Sequence, residues 1–246
     1  MFSSLVVGSL VPDLPYFIHM TGHIRLGHTT RGIFAFDLPV GLLLLWLFHG
    51  LVKRPLVSLA PEYIRRRIDE KALQFRFGPW PRLLLIALSL LIGIVTHVLW
   101  DGLTHEHGLF VKHWEVLRER SVAEIHYANF RLLQLGFSVV GFATVAWALW
   151  EYWKKKPEAT DSVPSRFAPG QRIRLVMVGA AIAVAFGIGM FFVAVRHHTF
   201  RWSLVELVIY TITCACAQLL VYSVWWRWTG QRWMGRDSSP AEAGSE

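Results

Sequence analysis

The stretch THVLWDGLTHEH, residues 96–107, holds the densest group of side chains that could do chemistry. His97 and Asp101 are four residues apart, so on a helix they share one face, a single turn from each other. An imidazole and a carboxylate in this relation can bind one metal ion, or the carboxylate can orient the imidazole. The structural alternative is an interfacial histidine followed by an aspartate that ends the helix before Gly102.

Residues near the N-terminus could join this pair. Asp13 lies in VPDLPY, residues 11–16, where two prolines stiffen the backbone around one carboxylate. His23 and His28 each follow a glycine, and neutral imidazoles there could ligate a metal. A surface turn and flexible surface histidines are the structural alternatives. The ligand types favour zinc among the divalent metals. We predict five candidate metal ligands: Asp13, His23, His28, His97 and Asp101.

Asp37, His105 and His126 are candidates to support these ligands without binding the metal themselves. Asp37 stands two residues before Pro39 at the start of an apolar run, an order that also suits a helix N-cap followed by a first-turn proline. His105 belongs to a His-x-His group, in which an extended backbone points both rings the same way. His126 precedes a later apolar run, from which it could reach the same face.

Membrane helices are the elements that must position these residues. Hydrophobic residues make up 54% of the 246 residues and aromatic residues 14%, and the twelve Trp are typical of a chain with rings at the headgroup level. The net charge of +8 lies in loops between apolar runs, which argues against nucleic-acid binding. Cys214 and Cys216 point apart on a helix, so neither a disulfide nor a metal site is expected of them.

The apolar runs predict an all-α, multi-pass transmembrane bundle with about five spans, because a bilayer needs about 20 apolar residues per helix. Residues 1–20 are apolar but broken by Pro12, so we expect a partly inserted segment, which becomes a sixth span if it crosses. A membrane domain is predicted at 1–153, a cytoplasmic linker at 154–172, two C-terminal spans at 173–226 and a cytoplasmic tail at 227–246. The predicted spans are 34–52, 83–101, 131–150, 173–195 and 204–226.

The distribution of basic residues predicts the orientation. Seventeen of the 25 Lys and Arg lie in the 53–82 and 152–174 loops and the 227–246 tail, against eight on the alternate face. The positive-inside rule therefore favours an N-out, C-in arrangement. Ten of the eleven histidines then fall on or near the outer side, with His49 as the exception. This shared side groups the candidate ligands into one possible outward-facing site.

Several functional classes fit less well. The sequence has no G-x-S-x-G elbow, phosphate-binding glycine loop or C-x-x-C pair.

Our leading hypothesis is a metal-dependent hydrolase-like site. The alternatives are a non-enzymatic membrane protein whose His/Asp cluster is a structural polar network, and a proton- or metal-coupled carrier. A carrier needs ionisable groups deep in several spans, and only Glu206 comes near to that. The basic loop 62–76 is interpreted as a determinant of topology and of contact with anionic lipid.

The order of several motifs resembles the bacterial domain-of-unknown-function 4184 family. The motifs are LVVGS (5–9), PDLPYF (12–17), Gly27-His28, Arg31-Gly32, FDLP (36–39), His97 to Asp101, Thr104-His105-Glu106, and His126 with Leu132 and Gln134. The resemblance covers most of residues 5–150. It implies a multi-pass membrane protein of the bacterial inner membrane, and it implies an additional upstream segment with a Ser-His-Pro.

A more distant similarity links the chain to inner-membrane proteins of the YdjM type, described as metal-dependent hydrolases. Asp13 matches the first acid of their pattern, His23 and His28 match two imidazoles by spacing, and His97 with Asp101 matches the last element. Pro15 and Tyr16 stand where that pattern has a second Asp and a His. The similarity implies a divalent metal and hydrolysis of a phosphoester or similar bond close to the lipid.

Overall fold

The chain is predominantly helical in the computed structural model, which describes residues 1–19, 26–75, 77–106, 108–122, 125–160, 163 and 165–237. Short 3-10 turns cover Val11–Asp13, Leu26–His28, Glu70–Leu73 and Glu115–Leu117. The α-helices are α1 (Phe2–Leu10), α2 (Leu14–Ile18), α3 (Thr30–Gly32), α4 (Leu38–Leu47), α5 (Lys53–Leu59), α6 (Glu62–Arg65), α7 (Trp80–Thr104), α8 (Leu109–His113), α9 (Asn129–Lys155), α10 (Pro169–Ala194) and α11 (Phe200–Asp237).

Five helical stretches are long and apolar enough to cross a membrane. They are the continuous Thr30–Leu59 helix, the stretch that contains α7, then α9, α10 and the Trp202–Thr229 part of α11. The Phe2–Ile18 segment is also apolar but shorter. The prediction of a helical protein with five such helices is confirmed, and these helices indicate a lipid bilayer environment.

The first long helix begins earlier than predicted, and Asp37 is not its N-cap. Thr29 caps it instead, because its Oγ1 accepts a hydrogen bond of 2.9 Å from the Gly32 N–H. Asp37 closes a π-helical turn, Ile33–Asp37, that precedes Pro39. Proline cannot donate to the carbonyl one turn back, and the wider π turn accommodates this break without ending the helix. A second π turn, Phe48–Val52, leads into α5.

The region after the second span also differs from the sequence prediction. The helix α7 continues three residues past Asp101, so this aspartate does not end it. Two short strands follow, β1 (Glu119–Val122) and β2 (Ile125–Ala128), which pair antiparallel with Glu119 opposite Ala128. The helical class holds despite this small sheet, which the sequence did not predict because four-residue strands carry too little periodicity to be recognised inside a polar loop.

The described residues form two compact units. Unit 1 contains Met1–Leu14, Arg25–Leu43 and Phe77–Glu158, and unit 2 contains Pro15–Ile24, Leu44–Arg76 and Ala159–Glu246. In unit 1, α1 packs against α7 at two glycines. A side chain at Gly8 would collide with the Leu90 carbonyl, and one at Gly93 would collide with the Leu5 carbonyl. Small residues of this kind let two membrane helices approach to backbone contact.

Unit 2 is built on the pairing of α10 with α11. Gly187 of α10 lies against the Thr211 hydroxyl of α11. At one end of this unit, the Ser58 hydroxyl lies 3.1 Å from the Tyr222 hydroxyl, and the Ser165 hydroxyl donates to the Ser58 carbonyl at 3.0 Å. These bonds join the end of α5, the segment before α10 and the later part of α11.

Candidate metal centre

Four of the predicted ligands meet in unit 1. Asp13, His28, His97 and Asp101 each offer one ligand atom, and these atoms all lie within 4.8 Å of one another. The four residues come from three separate segments of the chain. The positions of these segments follow from local packing, which can be traced one segment at a time.

The helix α7 supplies two of the four residues from its buried face. Leu90 and Gly93 are buried on this face, and His97 and Asp101 follow Gly93 at intervals of four residues. Residues at this spacing lie above one another on a helix. The face of α7 that packs against α1 therefore carries His97 and Asp101 in the last turns of the helix.

Asp13 reaches this face because α1 lies directly against α7. The chain leaves α1 through the 3-10 turn Val11–Asp13, in which Val11 and Pro12 are buried. The Pro12 ring fixes the backbone just before the carboxylate. The Gly8–Gly93 contact thus sets the separation of α1 and α7. The short turn after α1 then places Asp13 beside His97 of α7.

His28 is placed by a close contact between Gly27 and the Pro12 backbone. A Cβ atom at Gly27 would lie 2.7 Å from both the Pro12 Cα and its carbonyl oxygen, and 2.8 Å from Asp37 Oδ1. Real Cβ atoms do not approach other atoms this closely, so only glycine fits here. Because Gly27 rests on the residue before Asp13, the next side chain, His28, lies beside that carboxylate.

The two imidazoles and the two carboxylates alternate around the centre. His28 Nε2 lies 2.8 Å from Asp101 Oδ2 and 3.7 Å from Asp13 Oδ1. His97 Nε2 lies 3.4 Å from Asp13 Oδ1 and 3.6 Å from Asp101 Oδ2. Ligand atoms about 2.0–2.1 Å from a tetrahedral ion are separated by roughly 3.3 Å. The observed separations lie on both sides of this value, so small shifts would suit a tetrahedral site.

The four side chains are only partly shielded from the surroundings. The side chains of both histidines are 15% exposed, Asp101 is 21% exposed and Asp13 is 39% exposed. His97 Nε2 is itself buried and makes no hydrogen bond to a described residue. The centre therefore combines a buried nitrogen available as a ligand with one carboxylate that a small molecule can reach.

Two of the predicted supporting residues, Asp37 and His105, lie next to the four candidate ligands. Asp37 is fully buried, and neither of its carboxylate oxygens has a hydrogen-bond partner among the described residues. Its Oδ1 lies against Gly27, the residue before His28. His105 caps the end of α7, and its Nδ1 lies 3.4 Å from Asp101 Oδ1, whereas His28 contacts the other oxygen, Oδ2. A buried unpaired carboxylate is costly, and nearby positive charge offsets that cost.

Two other predicted residues are not placed by the structure. His23 lies outside the described residues, and only the backbone of His126 is described, in β2 opposite Ser121. Sequence reasoning missed the positioning role of Gly8, Gly27 and Gly93. Their signal was available, because Gly93 precedes His97 by one helical turn and Gly27 directly precedes His28.

Known proteins were compared with the chain. A family model described as "Domain of unknown function (DUF4184)" matches residues 1–224. The chain belongs to this family. The match extends beyond the motifs in residues 5–150 that carried the resemblance, so it includes unit 1 and most of unit 2. No curated protein and no solved structure matches the chain.

Proposed function

We propose that this chain is an integral membrane protein that binds one divalent metal ion at the cluster formed by Asp13, His28, His97 and Asp101. The observation that supports this most directly is the convergence of four ligand atoms within 4.8 Å from three distant segments. Two imidazole nitrogens and one carboxylate oxygen, with a second carboxylate beside them, suit a zinc ion that keeps one position open. The buried Asp37, which lies against Gly27 next to His28 in the chain, would balance part of the added positive charge.

The proposed reaction is hydrolysis of a phosphoester or similar bond close to the lipid. A bound divalent ion supplies a water of lowered pKa and polarises the oxygen of the scissile group. Catalytic zinc sites keep one position open for this water, whereas four protein ligands close the site. Asp13 is the most exposed of the four carboxylate and imidazole groups, so we assign it to hold the water and accept its proton. His28, His97 and Asp101 remain as the ligands.

An apolar groove in unit 1 supports a lipid-like substrate. It has a volume of about 640 Å³ and is lined mainly by α9, including Leu132, Phe137 and Val140. Its Phe137 ring packs edge-on against Trp100, the neighbour of Asp101 in the sequence, with ring centroids 4.8 Å apart. A concave apolar surface of this size suits an acyl chain.

Metal analysis of the detergent-purified protein tests the proposal. We expect about one zinc per chain in the wild type and near-complete loss in His97→Ala, because this variant removes a ligand nitrogen. His113→Ala is the matched control, since the one bond of this exposed histidine to the described residues lies within its own helix, at the Leu109 carbonyl. Wild-type protein without metal, or equal metal content in His97→Ala and His113→Ala, would contradict the proposal.

A structural polar network is the second candidate for the same four residues. The observation that favours it is the direct His28 Nε2–Asp101 Oδ2 contact of 2.8 Å, which joins two segments 73 residues apart without any metal. Under this alternative, Asp101→Asn lowers the unfolding temperature in detergent while both proteins contain no metal. Under the metal proposal, the same substitution also reduces bound zinc, so the two measurements together separate the candidates.

We also propose an N-out, C-in orientation in a bacterial inner membrane. Contacts within unit 2 support it by joining segments that the positive-inside rule assigns to the cytoplasm. Arg172 donates to the Ala60 carbonyl, Arg65 to the Val163 carbonyl and Arg166 to the Trp226 carbonyl. The candidate metal centre would then face outward.

A further inference from the structure

A cavity of about 280 Å³ lies in unit 2, where α10 ends and α11 begins. Its apolar wall is formed by the end of α10, and its polar lining consists of His197, His198, Glu206 and Tyr210. A water molecule takes up about 30 Å³ of liquid volume, so the cavity has room for roughly nine waters. This size suits a small polar molecule or the headgroup of a lipid.

Contacts between the two helices hold the walls of this cavity in place. Gly187 of α10 lies against the hydroxyl of Thr211, the residue after Tyr210 in α11. Nearer the connection between the helices, the Phe191 ring packs edge-on against the Phe200 ring, with centroids 5.8 Å apart. The first turns of α11 therefore lie along α10 at a spacing that packing determines.

Glu206 supplies the carboxylate of this cavity, and it lies in the Trp202–Thr229 part of α11, which is long and apolar enough to cross a membrane. Its side chain is only 13% exposed. Ionisable groups inside such helices are costly and mark functional sites when they face a cavity. Among the described residues, its one ion-pair contact is with His198, whose Nε2 lies 3.7 Å from Oε1. This separation exceeds a hydrogen bond, so the carboxylate keeps the capacity to accept one from a ligand.

The lining of the cavity offers hydrogen-bond acceptors around one negative charge. Tyr210 follows Glu206 by one helical turn, so both side chains lie on the same face of α11. The Phe186 ring packs edge-on against the Tyr210 ring, with centroids 6.2 Å apart. A carboxylate accepts only, a phenol oxygen and a neutral imidazole can each accept, and the face of a tyrosine ring attracts a cation. A primary ammonium, with three donors and no acceptor, complements this set.

Other ligand classes fit the cavity less well. Within the described part of the chain, three or more metal-type ligand atoms come together only at the candidate centre of unit 1. A metal ion in this cavity would therefore lack the third protein ligand that zinc sites have. An anion would be repelled by the charge of Glu206. A small organic cation is the class whose charge and donors match the lining.

We propose that this cavity binds a primary ammonium group, with the Glu206 carboxylate as its charge partner and the hydroxyl and ring of Tyr210 as its second contact. The ammonium belongs either to a small free amine or to the ethanolamine headgroup of a lipid, since both present the same three N–H donors. All the lining residues belong to unit 2 and all four candidate metal ligands to unit 1. Failure of the metal proposal would therefore not affect this site.

Thermal unfolding of the full chain in a neutral detergent tests the site. The probes are ethanolamine and choline as free cations, and phosphatidylethanolamine and phosphatidylcholine as lipids, each titrated at constant ionic strength. Choline keeps the positive charge but has no N–H donor, so each pair of probes isolates the ammonium hydrogens. Glu206→Gln keeps the shape of the side chain and removes its charge. The matched control is Glu151→Gln, which removes the charge of a partly buried carboxylate that contacts Lys155 near the end of α9.

We expect the ethanolamine probes to raise the unfolding temperature of the wild type and of Glu151→Gln, with an apparent dissociation constant about tenfold or more higher in Glu206→Gln. Tyr210→Phe, which keeps the ring and removes the hydroxyl, should fall between them. A response to phosphatidylethanolamine alone identifies a lipid headgroup, and an equal response to free ethanolamine shows that the amine is sufficient.

Arg201→Gln provides a second check, because Arg201 lies five residues before Glu206 and its side chain is outside the described part of the structure. Removing a positive charge from this part of the chain should leave ammonium binding unchanged or strengthen it. Weaker ammonium binding in Arg201→Gln would overturn the proposal. It is also overturned if neither ethanolamine probe shifts the wild type, if the choline probes match the ethanolamine probes, or if Glu206→Gln and Glu151→Gln respond equally.

Discussion

Asp37 is the residue whose burial most needs a functional explanation. It is fully buried in a π turn, it has no hydrogen-bond partner among the described residues, and its Oδ1 lies against Gly27, the residue before His28. Retaining a carboxylate in such a position costs folding free energy. π turns inside α-helices are frequent at functional sites, because the extra residue changes which face a side chain occupies. A positive charge held by the histidines would explain why an acid is kept here.

The substitution Asp37→Asn tests whether the Asp37 charge supports metal binding or only the fold. The amide has the same shape without the charge, so the metal-free protein should become more stable, by about 1 kcal/mol or more, because the buried charge is gone. Zinc affinity should fall by about 10–100-fold, as expected when a group that supports metal ligands is removed. Thermal unfolding in chelator and a zinc titration measure the two effects. Lower stability with unchanged zinc affinity would assign Asp37 to the fold alone.

At the scale of elements, the α1–α7 contact determines the geometry of the candidate centre. The helices touch at Gly8 and Gly93, one turn before His97 and a few residues before Asp13. Anything that separates the helices here also separates Asp13 from His97. The packing of unit 1 and the assembly of the centre are therefore coupled.

Gly93→Ala tests this coupling. Its new Cβ would collide with the Leu5 carbonyl, and overpacking of this kind typically costs about 1–3 kcal/mol. We expect a lower unfolding temperature together with weaker zinc binding. Gly141→Ala in α9 is the matched control, because a Cβ there meets no described atom within 4 Å and alanine favours the helix. Similar behaviour of the two variants would show that the contact does not control the centre.

The sequence predicts the elements better than it predicts their ends or their contacts. Apolar runs locate all five long helices because a membrane span requires a length of apolar chain. The ends were misjudged where polar residues continue a helix, as Lys53 and Arg54 do in α5. Helical spacing predicts that His97 and Asp101 share a face, but their distances to Asp13 and His28 depend on backbone contacts that no local pattern encodes.

At the scale of the whole molecule, the orientation is open to a direct test. In a Cys214→Ala, Cys216→Ala background, Glu115→Cys and Glu158→Cys form a matched pair, since both positions are exposed and outside the long apolar helices. A membrane-impermeant maleimide should label Glu115→Cys in intact cells and Glu158→Cys only after permeabilisation, as the positive-inside rule predicts. The reverse pattern would place the candidate metal centre towards the cytoplasm.

The contact between Gly8 and Gly93 also constrains how the chain is made. These glycines are 85 residues apart in the sequence, so α1 leaves the ribosome long before its partner exists. At a synthesis rate of about 5–20 residues per second, α1 waits roughly 4–17 s for α7. During that interval its apolar side chains must be held by lipid or by the insertion machinery. The four candidate ligands come together only afterwards, so metal loading would have to follow insertion of α7.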